Sequence, residues 1–184
     1  MNIPAVDPTS EPAGDPQGSL ALRPTDPAHR AVWDIASHVP DPEVPVLTIE
    51  DLGILRGASA EGDTARVVIT PTYSGCPAMG TISADVTAAL KAAGYQDVQI
   101  DLVLQPAWTT DWMTESGKQK LEEYGIAPPT GHSAVSRVGV GLSVKCPRCH
   151  SRNTKEMTRF GSTACKALYQ CLDCLEPFDY FKVH

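Results

Sequence analysis

Two cysteine pairs near the C-terminus place the strongest constraint on how this 184-residue chain can fold. Each pair has the form Cys-x-x-Cys, the first at Cys146 and Cys149 and the second at Cys171 and Cys174. One tight turn can direct both sulfurs of a pair at a single ion, and the second turn completes a tetrahedron. The 21 residues between the pairs slightly exceed the roughly 15–20 of the usual ribbon spacing. The pattern predicts a zinc ribbon that folds around its metal.

Disulfides or a redox-active dithiol are the alternative interpretation of these four cysteines. Disulfides need an oxidising compartment, and the N-terminal sequence has neither the basic nor the apolar segment of a secretory signal. No apolar run reaches the roughly 18 residues of a membrane span. We therefore expect a cytoplasmic protein with no membrane partner, in which the four thiolates hold Zn²⁺.

Net charge argues against nucleic acid as a partner. The formal net charge is −7 and the pI is about 5.1, whereas nucleic-acid-binding domains are usually basic. The ribbon has a small excess of lysine and arginine, which four thiolates and one Zn²⁺ would cancel. We expect no nucleic-acid partner.

The sequence divides the chain into four segments. Residues 1–26 are rich in proline without apolar periodicity, which predicts a disordered tail. Residues 27–127 have the periodicities of an α/β domain, residues 128–137 form a linker, and residues 138–184 form the zinc ribbon. Because the first domain has its own helices and strands, we expect it to fold without the ribbon.

Local patterns predict the order of elements in the first domain. They give a helix that starts at Asp26-Pro27, a hairpin over about 54–70, a helix over 77–93, a strand over 98–105 and a helix over 114–124. Strand, helix and strand in succession form a βαβ unit with parallel strands. The predicted fold class is α/β (α+β): a short mixed sheet with a βαβ unit, followed by a small C-terminal β domain.

Cys76 is the leading candidate for chemistry outside the ribbon. It follows a strand and precedes Pro77, which suits the first position of a helix. The N–H groups at a helix N-terminus favour a thiolate, and Gly75 lets the backbone approach a ligand closely. The alternative is a small buried apolar residue. No histidine stands at a spacing from Cys76 that would indicate a Cys–His hydrolase.

Cys165 and the carboxylates before the first strand are weaker candidates. Cys165 is either a free thiol with a function or a buried cysteine of the ribbon hairpin. Asp41, Glu43, Glu50 and Asp51 could bind a hard cation or act as acids and bases. For Asp41 and Glu43 we prefer a role in the turn, because Asp-Pro-Glu-x-Pro is favourable turn chemistry.

Several segments together resemble the SufT-like domain family, whose members take part in iron–sulfur cluster assembly. They are Asp41-Pro-Glu-Val-Pro45, Asp51-Leu-Gly53, Ser74-Gly75-Cys76-Pro77 and Pro106-Ala-Trp108-Thr109-Thr110. With the Cys-Pro-Arg-Cys knuckle and the run from Phe160 to Tyr169, the chain from about 28 to 184 resembles the PaaD-like family of phenylacetate degradation.

The resemblance implies roles for individual residues. Cys76 matches the cysteine proposed to handle iron or a cluster. Apart from the resemblance, Cys165 is a second candidate for this cargo, as a co-ligand if the ribbon folds back over the Cys76 turn. The supporting motif comprises Asp51, Gly53, Gly75, Pro77, Trp108 and Thr109. The implied cofactors are Zn²⁺ in the ribbon and a transient iron ion or iron–sulfur cluster. His150 stands where a small residue is expected, and we expect it to leave the metal site undisturbed.

The resemblance also implies a function and partners. The protein would mature the multicomponent phenylacetyl-CoA epoxidase, with the iron–sulfur reductase subunit as its client and the iron–sulfur assembly machinery as a further partner. It would be an assembly protein and not an enzyme that turns over substrate. The alternative is a non-catalytic structural subunit of the oxygenase complex. The sequence leaves open whether iron or an intact cluster is carried, and whether the chain forms a homodimer.

Overall fold

The computed structural model describes residues 22–130 and 143–183, which form two three-stranded sheets and three α-helices. The first part contains α1 (Pro27–Ala36), β1 (Leu55–Glu61), β2 (Thr64–Ile69), α2 (Ala78–Ala92), β3 (Asp97–Leu102), a 3-10 turn (Thr110–Trp112) and α3 (Glu115–Tyr124). The second contains β4 (Thr154–Thr158), β5 (Lys166–Cys171) and β6 (Pro177–Phe181). Most of the predicted tail, the linker beyond Thr130 and the apolar alternation from Val138 lie outside the described residues.

Local capping signals determine where the helices begin. Asp26 caps α1 as predicted, because its Oδ1 accepts hydrogen bonds from the N–H groups of Ala28 (2.9 Å) and His29 (3.1 Å). Pro77 is the N-cap of α2, so this helix begins one residue later than predicted. Thr114 caps α3 by accepting from the Gly117 N–H at 2.9 Å.

The first sheet has the order β1-β2-β3. β1 and β2 are antiparallel, and β2 and β3 are parallel. This arrangement confirms the predicted βαβ unit and the mixed sheet. Within the predicted hairpin, β1 extends to Glu61 because pairing with β2 recruits the small residues 57–60, whose own strand propensity is weak.

The hydrophobic core lies between this sheet and helices α1 and α2. Its fully buried members include Trp33 from α1, Val67 and Ile69 from β2, and Ile82 and Leu90 from α2. At roughly 1.5–3 kcal/mol per large apolar side chain, this burial is the main stabilising term of the first part.

The ribbon packs directly against the first part of the chain. Phe181 of β6 is 1% exposed and belongs to the same core cluster as α1 and α2, and its ring meets Trp108 edge-on at 6.3 Å between centroids. Ala127 donates to the Asp179 carbonyl (2.8 Å) and accepts from the Phe181 N–H (2.9 Å). The boundaries 27–127 and 138–184 stay a prediction, and the structure adds that the two units share a core.

No helix among residues 22–130 and 143–183 is both long and apolar enough to cross a membrane.

Candidate functional site

The four ribbon cysteines converge on one point. Their sulfurs all lie within 4.8 Å of one another, with 3.8 Å between Cys146 and Cys174 and 3.5 Å between Cys149 and Cys171. A tetrahedron with Zn–S bonds of about 2.3 Å has edges of about 3.8 Å between sulfurs. All four are free thiols, so the geometry fits a tetrahedral metal site.

The electrostatics of these thiols also fit a cation. Hydrogen bonding from the Cys174 N–H, at 3.5 Å from the sulfur, is the main factor that lowers the pKa of Cys171 to about 7. The Glu176 N–H works to lower the pKa of Cys174, but burial and the three neighbouring sulfurs raise it to about 12. One thiolate therefore forms near neutral pH without a metal, whereas ionisation of the neighbouring thiols requires a cation that compensates their charge.

Each knuckle ends in a left-handed residue. His150 (φ 63°) follows the first pair and Leu175 (φ 65°) follows the second. Only glycine adopts this conformation freely, which explains why a small residue is expected at position 150. The His150 ring turns towards Glu122 (Nδ1–Oε1 3.4 Å), so it adds a contact to α3 and is not a fifth metal ligand.

Cys76 lies in the turn that joins β2 to α2. Its N–H donates to the Tyr73 carbonyl at 3.2 Å. Its sulfur is half-buried, and the Ala78 N–H at the start of α2 and the Thr72 hydroxyl are placed to favour a thiolate there. Gly75 has φ +128° and nothing within 4 Å of an added Cβ, so it serves the backbone conformation of the turn and leaves open space beside Cys76.

The surroundings of Cys76 favour the neutral thiol over the predicted thiolate. Burial is the largest cause that raises the pKa of this thiol, and the charges of Glu43 and Asp41 raise it further. The hydrogen bonds from Ala78 and Thr72 act in the opposite direction but are outweighed. A bound cation would reverse this balance, because it attracts the thiolate and both carboxylates.

We expect Cys76 to react slowly with iodoacetamide at neutral pH. Only the thiolate reacts, and the raised pKa keeps Cys76 protonated beyond the pH of about 8.5 at which a free cysteine ionises. Mass-spectrometric quantification of the Cys76 peptide should show a rate that still rises between pH 8.5 and 9.5, with the urea-unfolded chain as control. A rate that levels off below pH 8 would contradict the assignment.

The ribbon brings Cys165 to the same region. Cys165 is 5% exposed, accepts or donates a hydrogen bond with Thr163 Oγ1 at 3.0 Å, and belongs to the core cluster against which Cys76 packs. Burial raises the pKa of Tyr73, and the charges of Cys76, Glu43 and Cys165 all raise it further. The charges of both thiols and of one carboxylate therefore act on the same tyrosine.

Asp41 and Glu43 have two roles. Asp41 Oδ1 accepts from the N–H groups of Glu43 (2.9 Å) and Val44 (2.7 Å), which confirms the predicted turn. Both carboxylates also act on both thiols: burial is the main cause that raises the pKa of Cys165, and Glu43 and Asp41 add to it, as they do at Cys76. We call this group the thiol–carboxylate centre; its members are Cys76, Cys165, Asp41 and Glu43.

The members of the thiol–carboxylate centre are more widely spaced than the ribbon cysteines. Within the described ranges, only the ribbon cysteines bring three or more potential metal-ligating atoms within 4.8 Å of one another. The centre is therefore a looser arrangement than a closed structural site.

Lys166 is the site residue that sequence reasoning missed. It follows Cys165 directly, is 4% exposed, and its ammonium lowers the pKa of that thiol against the larger upward effect of burial. A lysine in a short strand is normally expected in solvent. The sequence feature that could have indicated Lys166 is its position directly after the candidate cysteine, Cys165.

Asp51 of the supporting motif ties the loop before β1 to α3. Its Oδ2 accepts from the Lys120 ammonium (2.6 Å) and the Thr48 N–H (3.1 Å), and its Oδ1 accepts from the Thr114 hydroxyl (3.1 Å). Burial raises the pKa of Asp51, but the hydrogen bonds from Lys120, Thr48 and Thr114 outweigh it and leave the pKa below its usual value. Asp51 is thus a carboxylate that stabilises the fold through its hydrogen bonds.

Trp108 and Thr109 also have contacts that support the fold. The Trp108 indole N–H donates to the Leu52 carbonyl at 2.9 Å. Thr109 Oγ1 accepts from the Asp111 N–H at 3.0 Å and caps the 3-10 turn. These contacts hold the 106–112 segment against the loop before β1, and Trp108 also carries the ring contact with Phe181.

Gly53→Ala is expected to destabilise the protein by about 3 kcal/mol. Gly53 has φ +72°, and an added Cβ would lie 2.7 Å from both the Cβ and the carbonyl oxygen of Trp112. Gly62→Ala is the matched control, because Gly62 has φ +57° but open space around it, and it should cost about 1 kcal/mol. Urea unfolding midpoints measure both, and equal costs would show that the Trp112 contact is unimportant.

Two family models match the chain over the segments that carry this geometry. The model described as "Iron-sulfur cluster assembly protein" matches residues 29–102, which include Cys76 and the two carboxylates. The model described as "PaaD zinc beta ribbon domain" matches residues 130–182, which include the four ribbon cysteines and Cys165.

Individual proteins match as well. An Escherichia coli protein, named as a subunit of a "Putative 1,2-phenylacetyl-CoA epoxidase", is 49% identical over 156 residues, which are 85% of this chain and 93% of the relative. A Porphyromonas gingivalis protein named "Fe-S protein maturation auxiliary factor" is 35% identical over 83 residues, 44% of this chain and 78% of that protein. The crystal structure of the domain of unknown function DUF59 from Bacillus anthracis has a TM-score of 0.47 and 26% identity over 50% of this chain and 90% of that one.

Proposed function

This chain belongs to the PaaD family, in which an iron–sulfur cluster assembly domain precedes a zinc ribbon, and from this we propose that it is a maturation factor for the phenylacetyl-CoA epoxidase. Its client is the iron–sulfur reductase subunit of that enzyme, and its donor is the iron–sulfur assembly machinery. The name of the Porphyromonas relative, an auxiliary factor of iron–sulfur protein maturation, supports this role.

The observation that carries the proposal is the thiol–carboxylate centre. Cys76 comes from the assembly domain and Cys165 from the ribbon, and the same two carboxylates act on both thiols. Thiolates hold iron–sulfur clusters and carboxylates suit harder iron ions. The loose spacing of the centre fits a cargo that is bound and then released.

Within this proposal the two cysteine groups have different tasks. The ribbon cysteines hold Zn²⁺ permanently, which suits a closed site of four thiolates. Iron or a cluster is the cargo of Cys76 and Cys165. The chain's own residues bind the cargo, and the Ala78 N–H and Thr72 hydroxyl orient and stabilise the Cys76 thiolate that forms on binding.

Cys76→Ala is expected to abolish maturation of the epoxidase while leaving ribbon zinc and folding intact. The sulfur is a cargo ligand in this proposal, whereas loss of a half-buried sulfur alone costs on the order of 1 kcal/mol. The measurements are phenylacetate-dependent growth of a deletion strain that carries each variant, and iron content of the purified reductase subunit.

Ser74→Ala, two residues away in an exposed position of the same turn, is the matched control and should support normal growth. Cys165→Ala should be tested in parallel and is expected to lower reductase iron. Wild-type growth with a fully loaded reductase in the Cys76→Ala strain would refute iron handling by this cysteine.

A structural subunit of the oxygenase is the second candidate function. It is favoured by the name of the Escherichia coli relative, which designates a subunit of the epoxidase. Affinity purification from cells grown on phenylacetate distinguishes the two. A stoichiometric complex with the mature oxygenase supports a subunit, and a complex formed only with the iron-free reductase supports a maturation factor.

A further inference from the structure

Two leucines at the end of β3 are exposed although the strand pattern would bury them. Val98 and Ile100 pack against the core, and Leu102 lies on the same face because side chains alternate along a strand. Leu102 is nevertheless 54% exposed, and Leu104 is 55% exposed. Neighbouring exposed apolar side chains commonly mark an interaction site. We call Leu102 and Leu104 the leucine pair.

The leucine pair lies at the same end of the sheet as the turn that carries Cys76. β2 and β3 are parallel, Leu102 is in register with Ile69, and the Val103 N–H donates to the Ile69 carbonyl at 2.9 Å. From the end of β2 the chain passes directly into the Cys76 turn. Ligands of α/β sheets usually bind outside the carboxyl ends of the parallel strands, which is the edge that the leucines and Cys76 share.

A cavity of about 270 Å³ lies between the Cys76 turn and the segment that follows β3. Thr70–Ser74 form one side of its wall, and Leu104, Ala107 and Trp108 form the other. The turn continues into Cys76, whose N–H donates to the Tyr73 carbonyl at 3.2 Å. None of the wall residues is charged, so the cavity suits an uncharged group.

Thr70 has a buried hydroxyl without a partner in this wall. The residue is 1% exposed, and its Oγ1 has no hydrogen-bond partner in the part of the chain that the structure describes. Its N–H, in contrast, donates to the Ile54 carbonyl at 3.0 Å. A buried polar group without a partner costs free energy, which a hydrogen-bonding group in the cavity would recover. The hydroxyl therefore indicates a ligand that contains such a group.

β3 offers main-chain groups to the same ligand. Among residues 22–130 and 143–183 it is the edge strand of the first sheet, with β2 as its one strand neighbour. A free strand edge can bind an extended peptide through main-chain hydrogen bonds, and neighbouring pockets then select the side chains of that peptide. Together these features fit an extended, uncharged peptide segment with a bulky apolar side chain.

We propose that the leucine pair and the adjacent cavity bind an apolar segment of the client next to the client cysteine that receives the cargo. The inference rests on the proposed function, in which Cys76 donates iron or a cluster. In the transfer, the bond from iron to the Cys76 sulfur breaks and a bond from iron to the client sulfur forms. The proton of the client thiol passes to Cys76, and no group is oxidised or reduced. The exchange brings the client thiol to Cys76, so the client segment beside it must lie against the Cys76 turn.

The test measures binding of the iron-free reductase subunit to the full-length, zinc-loaded protein by anaerobic isothermal titration calorimetry. Leu104→Ser should weaken binding at least about tenfold, because it removes a large apolar side chain from the contact. Met157→Ser is the matched control, because Met157 is also 55% exposed but lies on β4 of the ribbon. It should change the affinity by no more than about twofold.

Thr70→Val separates binding from folding. Valine has nearly the shape of threonine but no hydroxyl, so the urea midpoint of the free protein should equal that of wild type or exceed it. Client binding should nevertheless weaken about three- to tenfold, because one hydrogen bond to the client is lost. A lower midpoint or an unchanged affinity would overturn the assignment of this hydroxyl to the client.

The outcomes separate this inference from the proposed function. Equal affinities of wild type and Leu104→Ser overturn the docking site and leave maturation by Cys76 intact. Weaker binding by Leu104→Ser, with low iron in the reductase from cells that carry this variant, supports the docking site. Absence of binding by the wild-type protein overturns the docking site and also counts against maturation of this client. A dimer that light scattering shows to become a monomer in Leu104→Ser would mean that a second copy covers the leucine pair, which also overturns the proposal.

Discussion

Cys171→Ser is expected to reduce the bound metal from one equivalent to far below one and to unfold β4, β5 and β6. Cys171 is fully buried and its sulfur is 3.5 Å from that of Cys149. Apparent binding free energies of structural zinc are about 10–16 kcal/mol, which a sheet of this size cannot replace from its own core. Metal analysis measures the loss of zinc directly.

Near-ultraviolet circular dichroism measures the accompanying loss of structure. Tyr169 stacks on Phe178 (5.9 Å between centroids) and meets Tyr180 edge-on (5.4 Å), so unfolding of the ribbon should abolish their signal. Cys165→Ser is the matched control, because Cys165 is not one of the four converging sulfurs, and it should retain one zinc. Full metal occupancy in Cys171→Ser would disprove the assignment.

Phe181→Ala should lower the free energy of unfolding by about 3–5 kcal/mol. The ring is 1% exposed and packs against Trp108 in the core of the first part of the chain. Truncation therefore leaves a cavity between the ribbon and the assembly domain, where neither side can collapse without moving a sheet. Urea unfolding followed by tryptophan fluorescence reports the change, because Trp108 lines the cavity.

Phe160→Ala is the control for loss of an aromatic ring from the same ribbon. Phe160 is 68% exposed, so its loss should change the free energy of unfolding by no more than about 0.5 kcal/mol. Equal midpoints for Phe181→Ala and Phe160→Ala would show that the two parts of the chain are not coupled. In that case a chain that ends near Pro128 would fold as well as the whole protein.

The helices and strands that the sequence predicts correctly are those with strong local signals. The start of α1 rests on Asp26-Pro27, α3 on Thr114 and Gly125, and the parallel pair on β-branched segments flanking an amphipathic helix. The zinc-ribbon prediction depends on four cysteines whose spacing is typical of a tetrahedral metal site. These features are local because capping, periodicity and knuckle turns involve residues a few positions apart.

The thiol–carboxylate centre could not be derived in full, because it depends on contacts between distant segments. Asp41 and Glu43 follow turn chemistry in sequence, and only the fold lets their charges add to burial in raising the pKa of Cys165. Lys166 is 4% exposed although it lies in a short strand, and no local pattern encodes that burial. The thiolate was expected at Cys76 from the local helix terminus. Burial, and after it the charges of Glu43 and Asp41 from a distant segment, raise the pKa of this thiol instead.

Strand β5 joins the two sets of cysteines. It begins at Lys166, directly after Cys165, and ends at Cys171, so about 20 Å of extended backbone separates the candidate cargo thiol from a cysteine of the ribbon knuckles. Its hydrogen bonds to β4 and β6 make it a stiff connection between them. Under the proposed function, loss of zinc from the knuckles would therefore withdraw the Cys165 thiol from Cys76. The metal state of the ribbon would then control whether the assembly domain has one candidate thiol or two.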